Sequence, residues 1–598
     1  MSEVAAFESA DRFVSNGDVR IALHDHGNPD GPTVVMVHGW PDSHVLWDGV
    51  APLLADRFRV VTFDNRGVGD SSSPKSHRDY TMAHLADDFA AVIDEVSPTA
   101  PVHVIAHDWG SVAVWEYLSR PGAPSRVASF TSASGPSQTL LVGWMFESLK
   151  RPYRLKSFLT ALDQLVRLSY MALFSVPLLA PAIVRAMFTP GRVRRVLSVV
   201  DGIPSEKTHH SGNLAREAAN TLKIYRANYF RSFSGKFDRS GAQDLQIDVP
   251  VQVIVNSKDP FVRPGFFDYL SRWVPRLWRR DIDAGHWSPF SHPQVLAASV
   301  AEMVGVVDGL PPSRGMRRAR VGVLREPFAD TLVSVTGAGS GIGKATALEF
   351  ARLGAEVVVS DIDETGVRGT ATEIAAQGGI AHAYTLDVSD AEAVDAFAEE
   401  VCGEHGLPDI VVNNAGVGHA GRFIDTPAEQ WDRVLDINLG GVVNCCRAFA
   451  PRLVARGTGG HIVNIASAAA FAPLQSLNAY CTSKAAVYMF SDCLRAELSS
   501  AGIGLTTICP GPVHTNIVNT ARFDAPPERT SQVAGRRKQW GNVFAARRYG
   551  PEKAAKAIVS AVQKNKPMRP VTPEAYLLYG VSRLAPQALR STARGQVI

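Results

Sequence analysis

The sequence predicts a protein of two α/β domains, each a mostly parallel sheet covered by helices. Three observations carry that expectation. Short Val/Ile-rich runs alternate with longer amphipathic stretches through both halves of the 598 residues, the pattern of strands joined by helical crossovers. Two of these runs end in sharp turns that open directly into helices, VHVIAHDWGSVAVWEYL (102–118) and TLVSVTGAGSGIGKATALEFARLG (331–354). Between the halves lies GLPPSRGMRRARVGVLREPFAD (309–330), with paired prolines and clustered arginines but no sustained period, a composition expected of a linker. The predicted division is therefore 1–310, a linker over 311–328, and 329–598.

Composition sets further limits. The chain is 45% hydrophobic and 20% charged, enough to bury large cores and too apolar for a disordered protein. Its 61 Lys+Arg against 58 Asp+Glu leave a net charge of +3, too weak a field to make nucleic acid the main partner. All six cysteines fall in the C-terminal half without a CxxC, so small buried thiols in a reducing compartment are expected, and no metal site is. The start, MSEVAAFESADRF, carries acids and no apolar core; no secretory signal is expected, and the cytoplasm is the expected location. The longest uncharged stretch, Leu168 to Val184, is interrupted by Pro177 and Pro181. It is too short to span a bilayer, which leaves a contact with a membrane surface as the reading open to it.

In the first half, PTVVMVHGWPD (32–42) and FRVVTFDNRGVGDSS (58–72) read as buried strands that end in glycine-bearing loops. The run at 102–118 reads strand, turn, helix, with Asp108 in the turn between Ala106 and Gly110. Small residues on both sides permit the strained dihedrals that expose a central nucleophile. A carboxylate there, in place of a serine, can displace a leaving group at saturated carbon and form an alkyl ester that a second step must hydrolyse. His286 in AGHWSPF is placed to activate the water, and Asp259 in VPVQVIVNSKDPFV to orient that histidine; nucleophile, acid and base follow in the order this topology requires.

On these motifs, residues 1–310 resemble the α/β-hydrolase fold with a helical lid over about 137–240, and the epoxide hydrolases within it. The resemblance implies that the backbone N–H groups of Trp40, in HGWP, and of Trp109 stabilise the oxyanion of ester hydrolysis. It gives DNRGVGDS, from Asp64 to Ser71, a structural role. It also implies two lid tyrosines that protonate the departing alkoxide: Tyr170 in YMALFSVP and Tyr225 in KIYRANYF, with Tyr229 the competitor to Tyr225. Haloalkane dehalogenases share the Asp nucleophile and a neighbouring Trp, but Trp40 follows the HG here and TSASGP (131–136) holds no acid. Ala106 stands where the family has glycine.

In the second half, Gly337, Gly341 and Gly343, with Ile342 between the last two, form a glycine turn between strand and helix. Such a turn lets backbone approach a pyrophosphate at the helix N-terminus. Asp361, at the end of AEVVVSDID, is placed to accept from both ribose hydroxyls and to repel a 2′-phosphate. No Lys or Arg directly follows it, so NAD(H) is expected in preference to NADP(H). Tyr480 and Lys484 lie at i and i+4 on one helix face, where the ammonium is expected to lower the phenol's pKa. Ser467 precedes Tyr480 by thirteen residues at the end of a buried strand.

With NNAG (413–416) and PGPVHT (510–515), these residues resemble the short-chain dehydrogenase/reductase family and its Rossmann-type doubly wound parallel sheet. The resemblance implies that Asn438 holds a proton-relay water and that Lys484 also binds ribose hydroxyls. It places Asp387 and Val388 at the adenine, Asn414 on the ribose side, and Val513 and Thr515 at the nicotinamide amide. It implies a homo-oligomer through this domain and a substrate loop from Ile517 to Tyr549. VTPEAYLLYGVSRLAPQALR (571–590) reads as an oligomer contact or an amphipathic surface helix.

The expected function is bifunctional: hydrolysis of an epoxide to a vicinal diol, and nicotinamide-dependent oxidation or reduction of a hydroxyl or carbonyl. The apolar lid points to a lipophilic or lipid-derived small molecule. The alternative makes the first half a dehalogenase-like or non-catalytic lipid-binding module.

Overall fold

The computed structural model describes residues 10–233, 245–525 and 549–592 and divides into two compact units, Met1–Val323 and Leu324–Ile598.

The first unit is built on eight strands: β1 (Arg12–Asn16), β2 (Val19–Gly27), β3 (Thr33–Val37), β4 (Arg59–Phe63), β5 (Val102–His107), β6 (Val127–Ala133), β7 (Val251–Asn256) and β8 (Leu277–Ile282). Their order in the sheet is β1-β2-β4-β3-β5-β6-β7-β8. The pairs involving β2 are antiparallel, and every pair from β4 through β8 is parallel. Strands covered on both faces need continuous apolar runs, and VHVIAH of β5 and VQVIVN of β7 are buried at all six positions. Between β6 and β7 strand alternation stops, and the chain folds as seven successive helices from Gln138 to Phe233, within the stretch expected to form the lid. The end of that stretch, 234–240, lies outside the described residues.

The second unit carries β9 (Leu332–Thr336), β10 (Glu356–Asp361), β11 (Ile380–Thr385), β12 (Ile410–Asn413), β13 (His419–Gly421), β14 (Gly460–Ile465), β15 (Ile503–Cys509), β16 (Arg522–Asp524) and β17 (Met568–Pro570). Seven form a parallel sheet in the order β11-β10-β9-β12-β14-β15-β17; β13 pairs with β16 in a separate ribbon. The order reverses between β9 and β12, the switch point at which such sheets open a crevice beyond their C-terminal strand ends. All six cysteines are free thiols.

The segment read as a linker departs from expectation. Arg314–Ala319 is a helix capped by the Ser313 hydroxyl, and its Met316 and Ala319 bury against Trp278 and Met303 of the first unit. Val321 then donates its N–H to the Leu277 carbonyl at 2.9 Å, and the Arg320 guanidinium stacks 4.5 Å from the Trp278 ring. The clustered arginines hid a short apolar pair, Met316 and Ala319, whose i, i+3 spacing suffices to dock one turn of helix.

Candidate active sites

In the first unit, three strand ends meet. Asp108 begins the helix Asp108–Leu118 directly after β5 with φ at +48°, a left-handed conformation that costs an aspartate energy and that its surroundings must enforce. They do so by close approach. A Cβ on Gly110 would stand 2.2 Å from the His38 carbonyl oxygen, one on Gly135 2.1 Å from the Asp108 carbonyl oxygen, and one on Gly39 2.6 Å from the Asp108 side chain. Ala106, the departure from the family's glycine, is fully buried in β5.

Past β8, His286 turns its ring between two carboxylates. Its Nδ1–H donates to Asp259 Oδ2 at 2.9 Å, and its Nε2 lies 3.6 Å from Asp108 Oδ1. Asp259, past β7, is held by the amides of Phe261 and Val262, at 2.7 and 3.2 Å from Oδ1. Burial works against a charged imidazole, but Asp259 and Asp108 outweigh it and push His286 up to about 10. Burial likewise opposes the Asp259 charge, and His286 and the two amides overcome it, holding the carboxyl below its ordinary value. The Trp40 N–H donates to Asp108 Oδ2 at 3.0 Å. Trp109 sits in the first turn of the helix, where an amide has no intrahelical partner.

The lid closes this face with aromatics. Tyr225 packs edge-on to Trp40 and Trp109, ring centroids 5.2 and 5.3 Å away, and Tyr170 lies 6.0 Å from Tyr225. Burial, aided by the Asp108 charge, raises both phenols above their ordinary value. Tyr229 joins the same apolar cluster as a partly buried side chain. The structure thus brings Asp108, Asp259, His286, Trp40, Trp109, Tyr170 and Tyr225 into one site. Asp64 lies outside it, in a cluster with His44 at 2.9 Å and with His24 and His38.

In the second unit, the turn after β9 has Gly337 at φ +66° and Gly341 at φ +58°, conformations that favour glycine. Gly343 is required by packing, since its Cβ would fall 2.1 Å from the Gly337 carbonyl oxygen; Ile342 packs partly buried on the core. Asp361, ending β10, accepts the Gly339 N–H at 2.8 Å. Asp387 Oδ1 accepts the Ser389 hydroxyl at 2.6 Å, and buried Val388 presses on Gly441. Thr515 faces Gly341 across the turn, and Val513 is buried. A glycine turn, a helix N-terminus at Gly341 and an acid at the neighbouring strand end together suit a nicotinamide dinucleotide.

Tyr480 and Lys484 share one helix, Asn478–Leu498. Lys484 Nζ donates to the Ile465 carbonyl at 3.0 Å, and burial pushes the ammonium down to about 8. The Tyr480 phenol lies beside Ser467, whose hydroxyl accepts the Ala469 N–H at 3.1 Å. Asn438 lies in a π-helical turn, Asp436–Gly440. Its Oδ1 accepts the Val417 N–H at 2.8 Å, and its Nδ2 donates to Ser483 Oγ at 3.1 Å.

Comparison with known proteins agrees with both folds. Residues 32–293 match the model of the alpha/beta hydrolase fold, and residues 331–525 that of the short chain dehydrogenases. A probable oxidoreductase of Mycobacterium tuberculosis named EphD is 66% identical over 594 residues, covering 99% of this chain and 100% of that one. The chain belongs to the EphD family. A D-threitol dehydrogenase of Mycolicibacterium smegmatis is 38% identical over 192 residues, 32% of this chain and 73% of that protein. A short chain dehydrogenase/reductase from Burkholderia phymatum, solved in complex with NAD, is 29% identical, covers 45% of this chain and 97% of that one, and superposes with a TM-score of 0.41. This EphD-family chain thus joins a hydrolase-fold domain to a short chain dehydrogenase domain.

Asn414 Nδ2 donates to the Thr336 and Gly337 carbonyls at 2.9 and 3.1 Å and so braces the glycine turn. One expectation for this EphD-family chain needs correction. The Tyr480 phenol was expected below its ordinary pKa, whereas burial raises it and only Ser467 pulls it back. Lys484 Nζ donates instead to the Ile465 carbonyl. Most of the expected substrate loop, 526–548, lies outside the described residues.

Sequence reasoning missed neighbours of the triad. Asp42, the residue after HGWP, is buried and accepts the Trp287 indole N–H at 3.0 Å; burial pushes it up to about 7. His107, just before the nucleophile, is buried, donates Nε2–H to the His286 carbonyl at 3.0 Å, and is pushed down to about 4 by burial. Adjacency to a recognised motif was the available signal for both.

Proposed function

We propose that the first domain hydrolyses an epoxide of a lipophilic or lipid-derived substrate through an ester on Asp108, and that the second interconverts a hydroxyl and a carbonyl with NAD(H). The observation that carries the first half is the convergence of a strained, mostly buried carboxylate, a histidine 3.6 Å behind it and two lid phenols in front, their rings 6.0 Å apart. Asp108 Oδ attacks an epoxide carbon and the C–O bond breaks. The alkoxide takes a proton from Tyr170 or Tyr225, phenols that their apolar surroundings keep protonated.

Esterification removes the Asp108 charge, one of the two that hold a proton on His286. The imidazolium returns its proton to the tyrosinate left by ring opening and, now neutral, takes one from water as the hydroxide adds to the Asp108 ester carbonyl. The Trp40 and Trp109 amides receive the oxyanion before the diol leaves. The dehalogenase reading is less well served. The Trp40 indole N–H donates to the Ala218 carbonyl at 3.0 Å, so one of the two indoles that would cradle a halide is engaged.

In the second domain the glycine turn and Asp361 would hold the dinucleotide, which when bound supplies or accepts the hydride. Ser467 orients the substrate oxygen, Tyr480 exchanges its phenolic proton with it, and Asn438 ties the loop after β12 to the Tyr480 helix. Asp361, followed by the exposed, uncharged Ile362, supports NAD(H); Asp361→Ala should narrow the NAD-over-NADP ratio in kcat/KM. For the hydrolase, one turnover in H₂¹⁸O tests the reading. Unlabelled diol and ¹⁸O in the Asp108 carboxylate support it; label in the first diol shows direct attack by water and overturns it.

A further inference from the structure

The outer face of the lid is apolar and unpartnered within its own unit. Among the described residues, half of the exposed large hydrophobic side chains of the chain lie between Tyr153 and Val200. On the helix Leu155–Arg167, Leu155, Leu159, Leu162 and Val166 recur at i, i+4, i+7 and i+11 and point outward, while Ala161 and Gln164 face the protein. This inverts the usual arrangement, in which the apolar stripe of a surface helix is the buried one. Leu178 is 87% exposed in the break before the helix Leu179–Met187, and Val199 is 80% exposed on the helix Pro190–Val200.

The same stretch is strongly basic. Residues 150–200 hold nine Lys or Arg and one acid, Asp163, a net +8 in a chain whose total is +3. Arg154, Lys156, Arg185, Arg192, Arg194 and Arg195 are exposed, so they flank the apolar side chains. The helices Leu155–Phe174 and Leu179–Met187 together are long and apolar enough to match a membrane span, yet they bend by 99°, and no single helix among the described residues is long and apolar enough to cross. Apolar side chains framed by cations on bent helices suit insertion in the plane of a lipid surface, apolar groups among the acyl chains and cations at the headgroups.

We infer that the outer face of the lid docks on an anionic lipid bilayer. The inference stands independently of the chemistry at Asp108. If that chemistry is epoxide hydrolysis, the docked segment Leu155–Phe174 also carries Tyr170, at the start of its second helix.

Flotation of the full-length protein with vesicles of phosphatidylglycerol and phosphatidylcholine, against vesicles of phosphatidylcholine alone, tests this. Binding is expected to the anionic vesicles and to weaken at least about tenfold on raising salt, as charges near a surface are screened. Leu159→Ser with Val199→Ser, and separately Arg194→Gln with Arg195→Gln, should each weaken it several-fold at unchanged Tm, since all four side chains are exposed. No binding to either vesicle, or binding that neither double variant alters, overturns the inference. So does a lipid-free, concentration-dependent dimer in sedimentation velocity that the Leu159/Val199 variant dissolves, which would assign the face to a second copy of the chain.

Discussion

His286 shows how a single residue's charge can be tied to the state of its neighbour. Two carboxylates raise it to about 10, so at neutral pH the resting ring is an imidazolium paired with Asp108 and Asp259. Asp108→Asn removes one of the two charges without changing shape, and the His286 titration followed by NMR should shift to lower pH. An unchanged titration would mean that Asp259 alone holds the proton and that the first step does not create the base. Folding linkage follows the same sign: a raised histidine contributes stability that is complete below its unfolded value of 6.5 and is lost as pH rises through about 10. Asp42 behaves oppositely. Its carboxyl is raised from 3.8 to about 7, so the native state increasingly pays for ionising it as pH climbs between those values. Asp42→Asn should therefore gain stability over wild type across that window, by up to about 4 kcal/mol, measured as denaturant midpoints from pH 4 to pH 8.

At the scale of elements, the site depends on how closely the elbow packs. Gly135→Ala would put a methyl 2.1 Å from the Asp108 carbonyl oxygen, a backbone atom that cannot swing aside. A loss of about 1–3 kcal/mol is expected, together with a larger loss of hydrolase activity because the +48° turn at Asp108 relaxes; thermal unfolding and initial rates check both. The strand–turn–helix units at 102–118 and 331–354 were legible in the sequence because each is local, a buried run meeting small residues at set spacing. The triad was legible because Asp108 and Asp259 each stand at the end of an apolar run and His286 follows a strand in the order the topology requires. What could not be read depends on burial by distant chain. The Tyr480 phenol rises because of what covers it, Asp42 is raised by burial that the Trp287 indole bond only partly offsets, and the helix Arg314–Ala319 forms because Trp278 and Met303 await it. The outward turn of the Leu155–Val166 stripe is of this kind too, since periodicity shows that a stripe exists but not which way it faces.

Over the whole molecule, each unit carries a complete set of groups on its own sheet, with the nucleophile and base beyond β5 and β8 in one and the glycine turn and Tyr480 beyond β9 and β14 in the other. Separate chemistries on one chain are the natural reading of that layout, and substitutions at Asp108 and Tyr480 should each silence one activity and leave the other. The central claim is the covalent one, and intact mass spectrometry of His286→Gln exposed to a lipophilic epoxide tests it most directly. A stable adduct of the epoxide's mass is expected, localised to Asp108 and absent in Asp108→Asn. An unmodified protein that still turns the epoxide over to diol would contradict it.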